Sequence, residues 1–379
     1  MSTIELIATT TFGLEAVVKR ELLALGYKDL VVEDGKITFT GNVADIPRAN
    51  LWLRSADRVL LKMGSFSARS FEELFEGTKA LPWDEWITRD GKFTVIGKSV
   101  KSQLFSVPDC QAIVKKAVVE KLKGKYKLEW FPETGPEYTI QVALLKDVAT
   151  LTIDTSGVGL HKRGYRQSAG EAPLKETLAA ALVQLSFWNK DRHLYDPFCG
   201  SGTIPIEAAL IGLNIAPGLN RDFASQDWPQ IGKELWRAAK VEAFEAIDQD
   251  SFLRIVGADI DPKVIAIAKE NGMEAGVAEH IDFRVQDVAK TKFQDPYGVV
   301  ITNPPYGARL GDQRELRQLY SQMGLVFRED PTWSVYVLTA DEEFEEHYGQ
   351  RAQRKRKLYN GNIKVDYYQF IGPRPPKDL

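Results

Sequence analysis

The chain has 379 residues, of which 44% are hydrophobic and 27% charged, and its formal net charge at pH 7 is −3. This length predicts two or three domains, and the composition excludes a disordered tail, a collagen-like fibre and a disulfide scaffold. Two cysteines and four scattered histidines predict no structural metal site. No apolar run approaches the ~20 residues of a membrane span, and no leader pattern precedes the first predicted strand, so we expect a cytoplasmic protein without membrane contacts.

The first half of the chain mixes strands and helices and lacks a glycine-rich phosphate loop. Alternating apolar residues predict strands over 4–10, 92–97, 138–145 and 148–154, a hairpin over 30–39 and an extended run over 51–66. Helical periodicity covers 13–25, 70–81 and 110–122. This order favours a binding module rather than a catalytic one.

Positive charge is concentrated in two short segments. Residues 98–128 carry eight lysines against two acidic residues, and residues 351–357 carry five basic residues after the acidic stretch 341–346. Such segregation predicts a surface that follows nucleic-acid phosphates, and the alternative is a solvated helix face.

The second half alternates strands with helices. Strands are predicted over 193–198, 254–259, 281–285, 298–302 and 333–338, and helices over 203–212, 262–275, 313–327 and 341–348. This pattern predicts an α/β fold with a doubly wound, mostly parallel sheet. Two further strands, 355–359 and 363–371, flank the hairpin dipeptide Asn360-Gly361. A parallel sheet that finishes in an antiparallel hairpin resembles the class I (Rossmann-like) methyltransferases.

The first candidate ligand loop follows the first of these strands and reads Asp196-Pro197-Phe198-Cys199-Gly200-Ser201-Gly202-Thr203. Gly200 and Gly202 allow the backbone to approach a ligand closely. The dinucleotide fingerprint is incomplete because its third glycine is replaced by Pro205. An acidic residue before the glycines suits a cationic ligand, and S-adenosylmethionine carries sulfonium and ammonium groups.

Two more acidic positions follow predicted strands. Asp259 ends the second strand, where a carboxylate can accept both ribose hydroxyls, although Asp261 could equally cap the helix that begins at Pro262. Asp287 follows the third strand and can accept from an adenine amino group or cap a turn. The long spacing from the glycines to Asp259 predicts an insertion over 214–249.

The most specific motif, Asn303-Pro304-Pro305-Tyr306, follows the fourth strand. The exocyclic amine of a base is a poor nucleophile because its lone pair is delocalised into the ring. Two acceptors, the Asn303 side-chain oxygen and the Pro304 carbonyl, can hold the two amine hydrogens and turn the lone pair toward a methyl donor. The prolines fix the backbone, and Tyr306 can stack on a flipped base for about 1–3 kcal/mol. The alternative is a simple Pro-Pro turn.

These motifs in this order resemble the class I enzymes that methylate amino groups. Residues 161–166 and 171–176, the insertion at 214–218 with Trp228, and residues 106–111 resemble the THUMP-domain large-subunit ribosomal RNA guanine-N2 methyltransferases. The resemblance covers essentially the whole chain and implies a ferredoxin-like domain over 1–60, a THUMP RNA-binding domain over 61–160 and a methyltransferase domain over 161–379. Some members carry a second, guanine-N7 domain, which we do not expect here.

The resemblance also implies roles for individual residues. Its cofactor site would comprise Asp196, Pro197, Phe198, Gly200, Gly202, Thr203, Asp259 with Ile260, Asp287, Leu174 and Lys175, with Pro173 at the border. Its base site would comprise Asn303, Pro304, Pro305 and Tyr306. RNA contacts are expected from Lys98, Lys101, Lys115, Lys116, Arg163 and Arg166. A nucleophilic role for Cys199 is disfavoured, because this thiol lies in the cofactor loop.

The predicted function is methylation of a guanine N2 in 23S rRNA, or in a large-subunit precursor, with S-adenosylmethionine. A tRNA guanine-N2 enzyme and an adenine-N6 DNA methyltransferase share the central motif and remain alternatives. An alternative of another class is an RNA-binding ribosome-assembly factor with a non-catalytic methyltransferase fold.

Overall fold

The computed structural model describes residues 3–166, 174–306 and 313–376. Its strands are β1 Ile4–Thr9, β2 Val31–Glu33, β3 Lys36–Gly41, β4 Arg58–Ser67, β5 Lys92–Val100, β6 Glu137–Leu145, β7 Val148–Asp154, β8 Leu194–Asp196, β9 Ile255–Asp259, β10 Ile281–Val285, β11 Val299–Thr302, β12 Ser334–Thr339, β13 Arg354–Asn360 and β14 Ile363–Phe370. Its helices are α1 Glu15–Ala24, α2 Asp45–Trp52, α3 Phe71–Ala80, α4 Trp83–Trp86, α5 Val107–Tyr126, α6 Glu176–Leu185, α7 Thr203–Gly212, α8 Gly232–Glu245, α9 Pro262–Glu274, α10 Gln313–Phe327 and α11 Phe344–Tyr348.

The chain forms two compact units, and each draws on separate stretches of sequence. The N-terminal unit comprises residues 1–9, 21–160 and 222–242, and the C-terminal unit comprises 10–20, 161–221 and 243–379. Within the described residues, no helix is both long and apolar enough to cross a membrane.

One seven-stranded sheet runs through the N-terminal unit in the order β2-β3-β1-β4-β7-β6-β5. The ten-residue strand β4 pairs with β1 through its first half and with β7 along its length, so it joins two halves of the sheet. All pairings are antiparallel except that of β5 with β6. Lysine-bearing α5 packs on this sheet and is longer than the predicted 110–122.

Residues 222–242 belong to the N-terminal unit although β8 and β9 of the other unit flank them in sequence. The Trp228 indole nitrogen donates to the Glu137 carbonyl over 3.1 Å, and its ring lies 4.8 Å from that of Tyr138. The predicted insertion therefore contributes a buried aromatic side chain to the core of the N-terminal unit.

The C-terminal unit contains a second seven-stranded sheet, in the order β10-β9-β8-β11-β12-β14-β13. Strands β8 to β12 are parallel, and β14 and β13 are antiparallel additions at one end. The predicted doubly wound sheet with a terminal hairpin is confirmed. Helices α6 and α7 and residues 10–20 cover one face with a core that includes Leu14, Leu178 and Ile206, and α10 and α11 cover the other.

Among the α-helices of the described residues, four were not predicted from the sequence: α2, α4, α6 and α8. In α6, every residue from Glu176 to Val183 is buried, so the helix lacks the polar stripe that reveals an amphipathic helix. The predicted extended run over 51–66 was wrong at its start, because α2 continues to Trp52 and the strand begins at Arg58.

Candidate active site

Three loops of the C-terminal unit meet at the carboxyl edge of its parallel strands. Because β8 lies between β9 and β11, the loops that follow these strands are neighbours. The Gly200 backbone nitrogen donates to Asp259 Oδ2 over 3.1 Å. The Thr302 hydroxyl donates to Asp196 Oδ1 over 2.7 Å. Three motifs that are far apart in sequence are thus joined at the edge where open α/β sheets bind ligands.

Asp196 is buried beneath this edge, with 1% of its surface exposed. Burial raises the pKa of its carboxyl group to about 7, against the opposing effect of hydrogen bonds from the Thr302 hydroxyl and the Phe198 backbone nitrogen. The group therefore ties the first loop to β11. Its contact with the methionine end of a cofactor stays a prediction, as do those of buried Pro197 and Thr203 and half-buried Phe198.

The two glycines of the first loop have different surroundings. Gly200 has φ +53°, and a Cβ at this position would meet no atom of the described residues within 4 Å. Gly202 precedes α7 with φ +83°, and a Cβ there would lie 2.9 Å from Phe283 Cζ and 3.1 Å from Ala268 Cβ. Gly200 is therefore the position open to a ligand, whereas Gly202 permits close packing of α7 within the core. A contact of the Gly202 backbone with the ligand stays a prediction.

The sequence left open whether Asp259 or Asp261 caps the following helix and which of them is placed to bind a ribose. Asp261 caps α9, since its Oδ1 accepts from the Lys263 backbone nitrogen over 2.8 Å. Asp259 accepts from Gly200 and from the Asp261 backbone nitrogen, and burial raises its pKa. Ribose binding by Asp259 fits this position beside the open face of Gly200 and stays a prediction, as does a contact of exposed Ile260.

Asp287 occupies the turn that follows β10. Its Oδ1 accepts from the Ala289 backbone nitrogen over 2.9 Å, so the residue caps a short 3-10 turn over Val288–Lys290. This is the structural alternative considered for Asp287. Its second carboxylate oxygen is compatible with adenine binding, which no contact in the structure tests.

Asn303 carries the most informative atom of the base motif. Its side-chain oxygen Oδ1 is buried and has no hydrogen-bond partner among the described residues. A buried acceptor without a partner costs about 1–3 kcal/mol, so such atoms are rare in folded proteins and point to a missing donor. The amino group of a base is a donor of the required kind.

The prolines and the tyrosine of the motif lie beside Asn303. Pro304 is buried and Pro305 half-buried. The Tyr306 side chain is also buried, with 6% exposed, and its hydroxyl accepts from Asn360 Nδ2 over 3.4 Å. A free ring face for base stacking is therefore not available at Tyr306 in this conformation.

Cys199 is buried in the cofactor loop. Its burial, and to a smaller extent repulsion from Asp196 and Asp259, raise the pKa of its thiol well above the usual range. A neutral buried thiol is a poor nucleophile. The interpretation of Cys199 as a small structural residue is therefore favoured.

Arg163 does not face solvent, and its prediction as an RNA contact was wrong. Its guanidinium is 3% exposed and pairs with buried Glu207, with Nε 3.3 Å from Oε1. The Tyr165 hydroxyl donates to the same carboxylate over 3.1 Å. A guanidinium that is held in this way cannot reach an RNA phosphate without unfolding its surroundings.

Arg166 is likewise an internal contact rather than an RNA contact. It pairs with Glu176 of α6 over 3.4 Å and donates to the Leu174 carbonyl and the Thr203 hydroxyl. It thereby links the start of α6 to the residue after Gly202. Leu174 is buried, and its carbonyl lies near the cofactor loop because Arg166 contacts both it and Thr203. Lys175 precedes α6, and its contact with the cofactor stays a prediction. Pro173 lies outside the described residues.

The remaining predicted RNA contacts are four lysines of the N-terminal unit, and all four are exposed: Lys98, Lys101, Lys115 and Lys116.

The sequence analysis missed Thr302, whose only signal is its place directly before Asn303. It also missed the buried Arg163–Glu207 pair, because charged residues are usually exposed and are therefore predicted to lie on the surface. Within the described ranges, no group of three or more His, Cys, Asp or Glu side chains could hold a metal ion.

Three family models match successive parts of the chain. The model described as UPF0020, RMKL-like, methyltransferase domain matches residues 163–369, and those of an RlmL ferredoxin-like domain and a THUMP domain match 5–60 and 68–154. The chain belongs to the RMKL-like methyltransferase family. This membership confirms the predicted family, the methyl-transfer reaction and S-adenosylmethionine as the cofactor.

Individual relatives of this methyltransferase cover nearly its full length. It is 56% identical to the Bacillus subtilis (strain 168) protein named "Putative RNA methyltransferase YpsC" over 96% of this chain and 95% of that one. A Listeria monocytogenes structure, described as a predicted N6-adenine-specific DNA methylase, is 55% identical, with a TM-score of 0.94 over 98% of this chain and 97% of that one. SMU.472, a putative methyltransferase complexed with SAH, is 46% identical, with a TM-score of 0.93 over 99% and 100%.

The residues of this methyltransferase fit its cofactor. The open side of Gly200 gives a ligand access to the backbone, and the Asp259 carboxylate borders the same loop. A backbone cradle and an acidic acceptor together suit a ligand with a ribose and cationic groups.

Proposed function

We propose that this methyltransferase acts on the N2 amino group of a guanine in RNA, and that the RNA is 23S rRNA or its precursor. The observation that carries the proposal is the buried Asn303 Oδ1, which has no hydrogen-bond partner in the part of the chain that the structure describes and belongs to a motif suited to an exocyclic amine. The name of the B. subtilis relative supports RNA as the substrate. The exposed lysines of the THUMP-matching region provide the cations that RNA binding needs.

The Asn303 side-chain oxygen and the Pro304 carbonyl accept the two amine hydrogens and direct the nitrogen lone pair toward the cofactor loop. Bound S-adenosylmethionine supplies an electrophilic methyl group on a sulfonium. The amine nitrogen, held by Asn303 and Pro304, would accept this methyl group and release one of its protons to solvent. Alignment and fixed dipoles are the contributions of the protein.

Tyr306 has a second role in this proposal. Its ring is buried and its hydroxyl accepts from Asn360, so in this conformation the side chain packs inside the protein and supports the Asn303–Tyr306 motif. Stacking on a flipped base then requires displacement of the groups that cover the ring.

A second candidate is methylation of adenine N6 in DNA. The similarity to the Listeria protein, described as a predicted N6-adenine-specific DNA methylase, favours it, and the Asn303–Tyr306 motif serves either amine. Binding to folded RNA and to duplex DNA of equal length, compared at matched salt, distinguishes the two candidates.

The direct test is mass spectrometry of nucleosides from 23S rRNA of a strain that lacks the protein. We expect loss of N2-methylguanosine, restored by the wild-type chain and not by Asn303→Ala. Asn189 is an exposed asparagine that precedes β8 and so lies at the opposite edge of the sheet. Asn189→Ala is therefore the matched control and should restore N2-methylguanosine. An unchanged rRNA profile would contradict the proposed substrate and direct the search to tRNA and then DNA.

A further inference from the structure

Strand β13 forms the outer edge of the C-terminal sheet and carries four consecutive cations. Arg354, Lys355, Arg356 and Lys357 are all exposed. Successive strand residues point to opposite faces, so two cations lie on each side of the edge. Charge is therefore available along the whole rim of the strand rather than on one face.

Most of this charge is not neutralised by the protein. Lys355 pairs with Asp366 over 3.2 Å. Among the described residues, Arg354, Arg356 and Lys357 have no carboxylate within ion-pair distance, and Lys357 lies 5.5 Å from the ring centre of Tyr359. Three unneutralised cations on one strand attract an anionic polymer.

The strand leads to the base motif. Its last residue, Asn360, donates to the Tyr306 hydroxyl. Next to this end, Phe12 is 53% exposed and meets the Tyr359 ring edge-on at 6.3 Å between ring centres. An exposed aromatic ring beside a row of cations is the combination that binds single-stranded nucleic acid, through stacking and phosphate contacts.

The other end of β13 adds further cations. Arg354 lines a cavity of about 660 Å³ together with Arg192, Arg254 and Arg374. Arg192 donates to the carbonyls of Phe187, Tyr297 and Gly298 rather than to a carboxylate. Arg254 is paired with Asp295 over 3.4 Å, so Arg192 and Arg374 are the cations that continue the row past the start of the strand.

We infer that the β13 edge, with Phe12, binds the RNA strand that carries the target base and guides it to Asn303. The inference rests on the proposed function and adds the path of the substrate. Single-stranded RNA fits this edge because phosphates pair with the cations and a base can stack on Phe12. Edge strands also carry lysines that block pairing with other chains, and this alternative makes a different prediction.

The test compares Arg356→Gln/Lys357→Gln with Lys364→Gln, which removes a cation of β14 that is already paired with Glu342. Binding of a labelled single-stranded RNA oligonucleotide to the full chain is measured by fluorescence anisotropy over a salt series. The loss of two phosphate contacts should reduce the magnitude of the slope of log affinity against log salt concentration by about 1.4. At ~0.1 M salt, the affinity for the RNA should fall on the order of 20-fold. Lys364→Gln should match the wild type, and all variants should bind S-adenosylmethionine equally.

The possible outcomes distinguish failure of the proposed RNA path along β13 from failure of the proposed RNA methylation. If the wild type methylates and binds RNA but the double variant keeps its salt slope, the inference is overturned and the proposed function stands. Self-association of the double variant in sedimentation velocity with an unchanged slope would also overturn it, in favour of edge protection. A wild type that neither binds nor methylates RNA would overturn both.

Discussion

The hydroxyl of Thr302 donates a hydrogen bond to the buried carboxyl group of Asp196 over 2.7 Å. One residue ends β11 and the other ends β8, so this bond fixes the cofactor loop and the base motif to each other through neighbouring strands. It also opposes the burial that raises the Asp196 pKa.

Thr302→Val keeps the side-chain shape and removes this bond. We expect a loss of about 1–3 kcal/mol in the free energy of unfolding, since the buried Asp196 carboxyl group loses one of its two donors and keeps that of the Phe198 backbone. We also expect weaker methyl transfer, because the two loops are no longer held in register. Urea unfolding and a methylation assay measure the two effects. Unchanged turnover in a destabilised variant would show that the bond serves stability alone.

The raised pKa of Asp196 predicts a pH-dependent stability. Burial moves this pKa to about 7, so between roughly pH 4 and 7 the folded state holds a proton that the unfolded state releases. The contribution of this group to stability is thus present at low pH and is lost as pH rises through that window, by roughly 4 kcal/mol. Asp196→Asn lacks this titration.

The stability of Asp196→Asn relative to the wild type should therefore increase from pH 4 to 7 and then level off. Chemical unfolding of both proteins at matched pH values measures this difference. Parallel stability curves would mean that the carboxyl group is ionised in the folded protein at the lower pH values.

The two loop glycines should respond differently to alanine. Gly200→Ala adds a Cβ into open space, so we expect about 1 kcal/mol of backbone strain and a clear loss of S-adenosylmethionine affinity. Gly202→Ala adds a Cβ 2.9 Å from Phe283 Cζ, so we expect a larger loss of stability, about 1–3 kcal/mol. Thermal unfolding and calorimetric titration separate the effects. Equal affinity losses in both variants, after correction for folding, would argue against this division.

Much of the C-terminal unit could be predicted from its sequence because its strands and helices alternate and its motifs follow strand ends. The N-cap role of Asp261 and the terminal hairpin at Asn360-Gly361 have equally local signals. The different roles of Gly200 and Gly202 could not be predicted, since they depend on Phe283, a distant residue. The burial of Arg163 is a property of tertiary packing and leaves no periodic signal.

The ion pair of Arg163 with Glu207 is buried on both sides. Glu207→Leu leaves a buried guanidinium without its carboxylate, and Arg163→Met leaves a buried carboxylate without its guanidinium, so we expect each single variant to lose about 3–5 kcal/mol in the free energy of unfolding. The double variant Arg163→Met/Glu207→Leu removes both charges and should cost much less than the sum of the two single variants. Urea unfolding of the four proteins forms a double-mutant cycle. Additive losses would mean that the two side chains do not stabilise each other.

Cys199→Ala tests the catalytic alternative in the cofactor loop. The raised pKa keeps the thiol neutral, and direct methyl transfer has no step for it, so we expect turnover within about threefold of the wild type. The lost sulfur leaves a small void that should cost about 1 kcal/mol of stability. Single-turnover methylation at a temperature where both proteins are folded isolates the chemical step from folding. A decrease of about a hundredfold or more with intact S-adenosylmethionine binding would instead indicate a covalent mechanism through this cysteine.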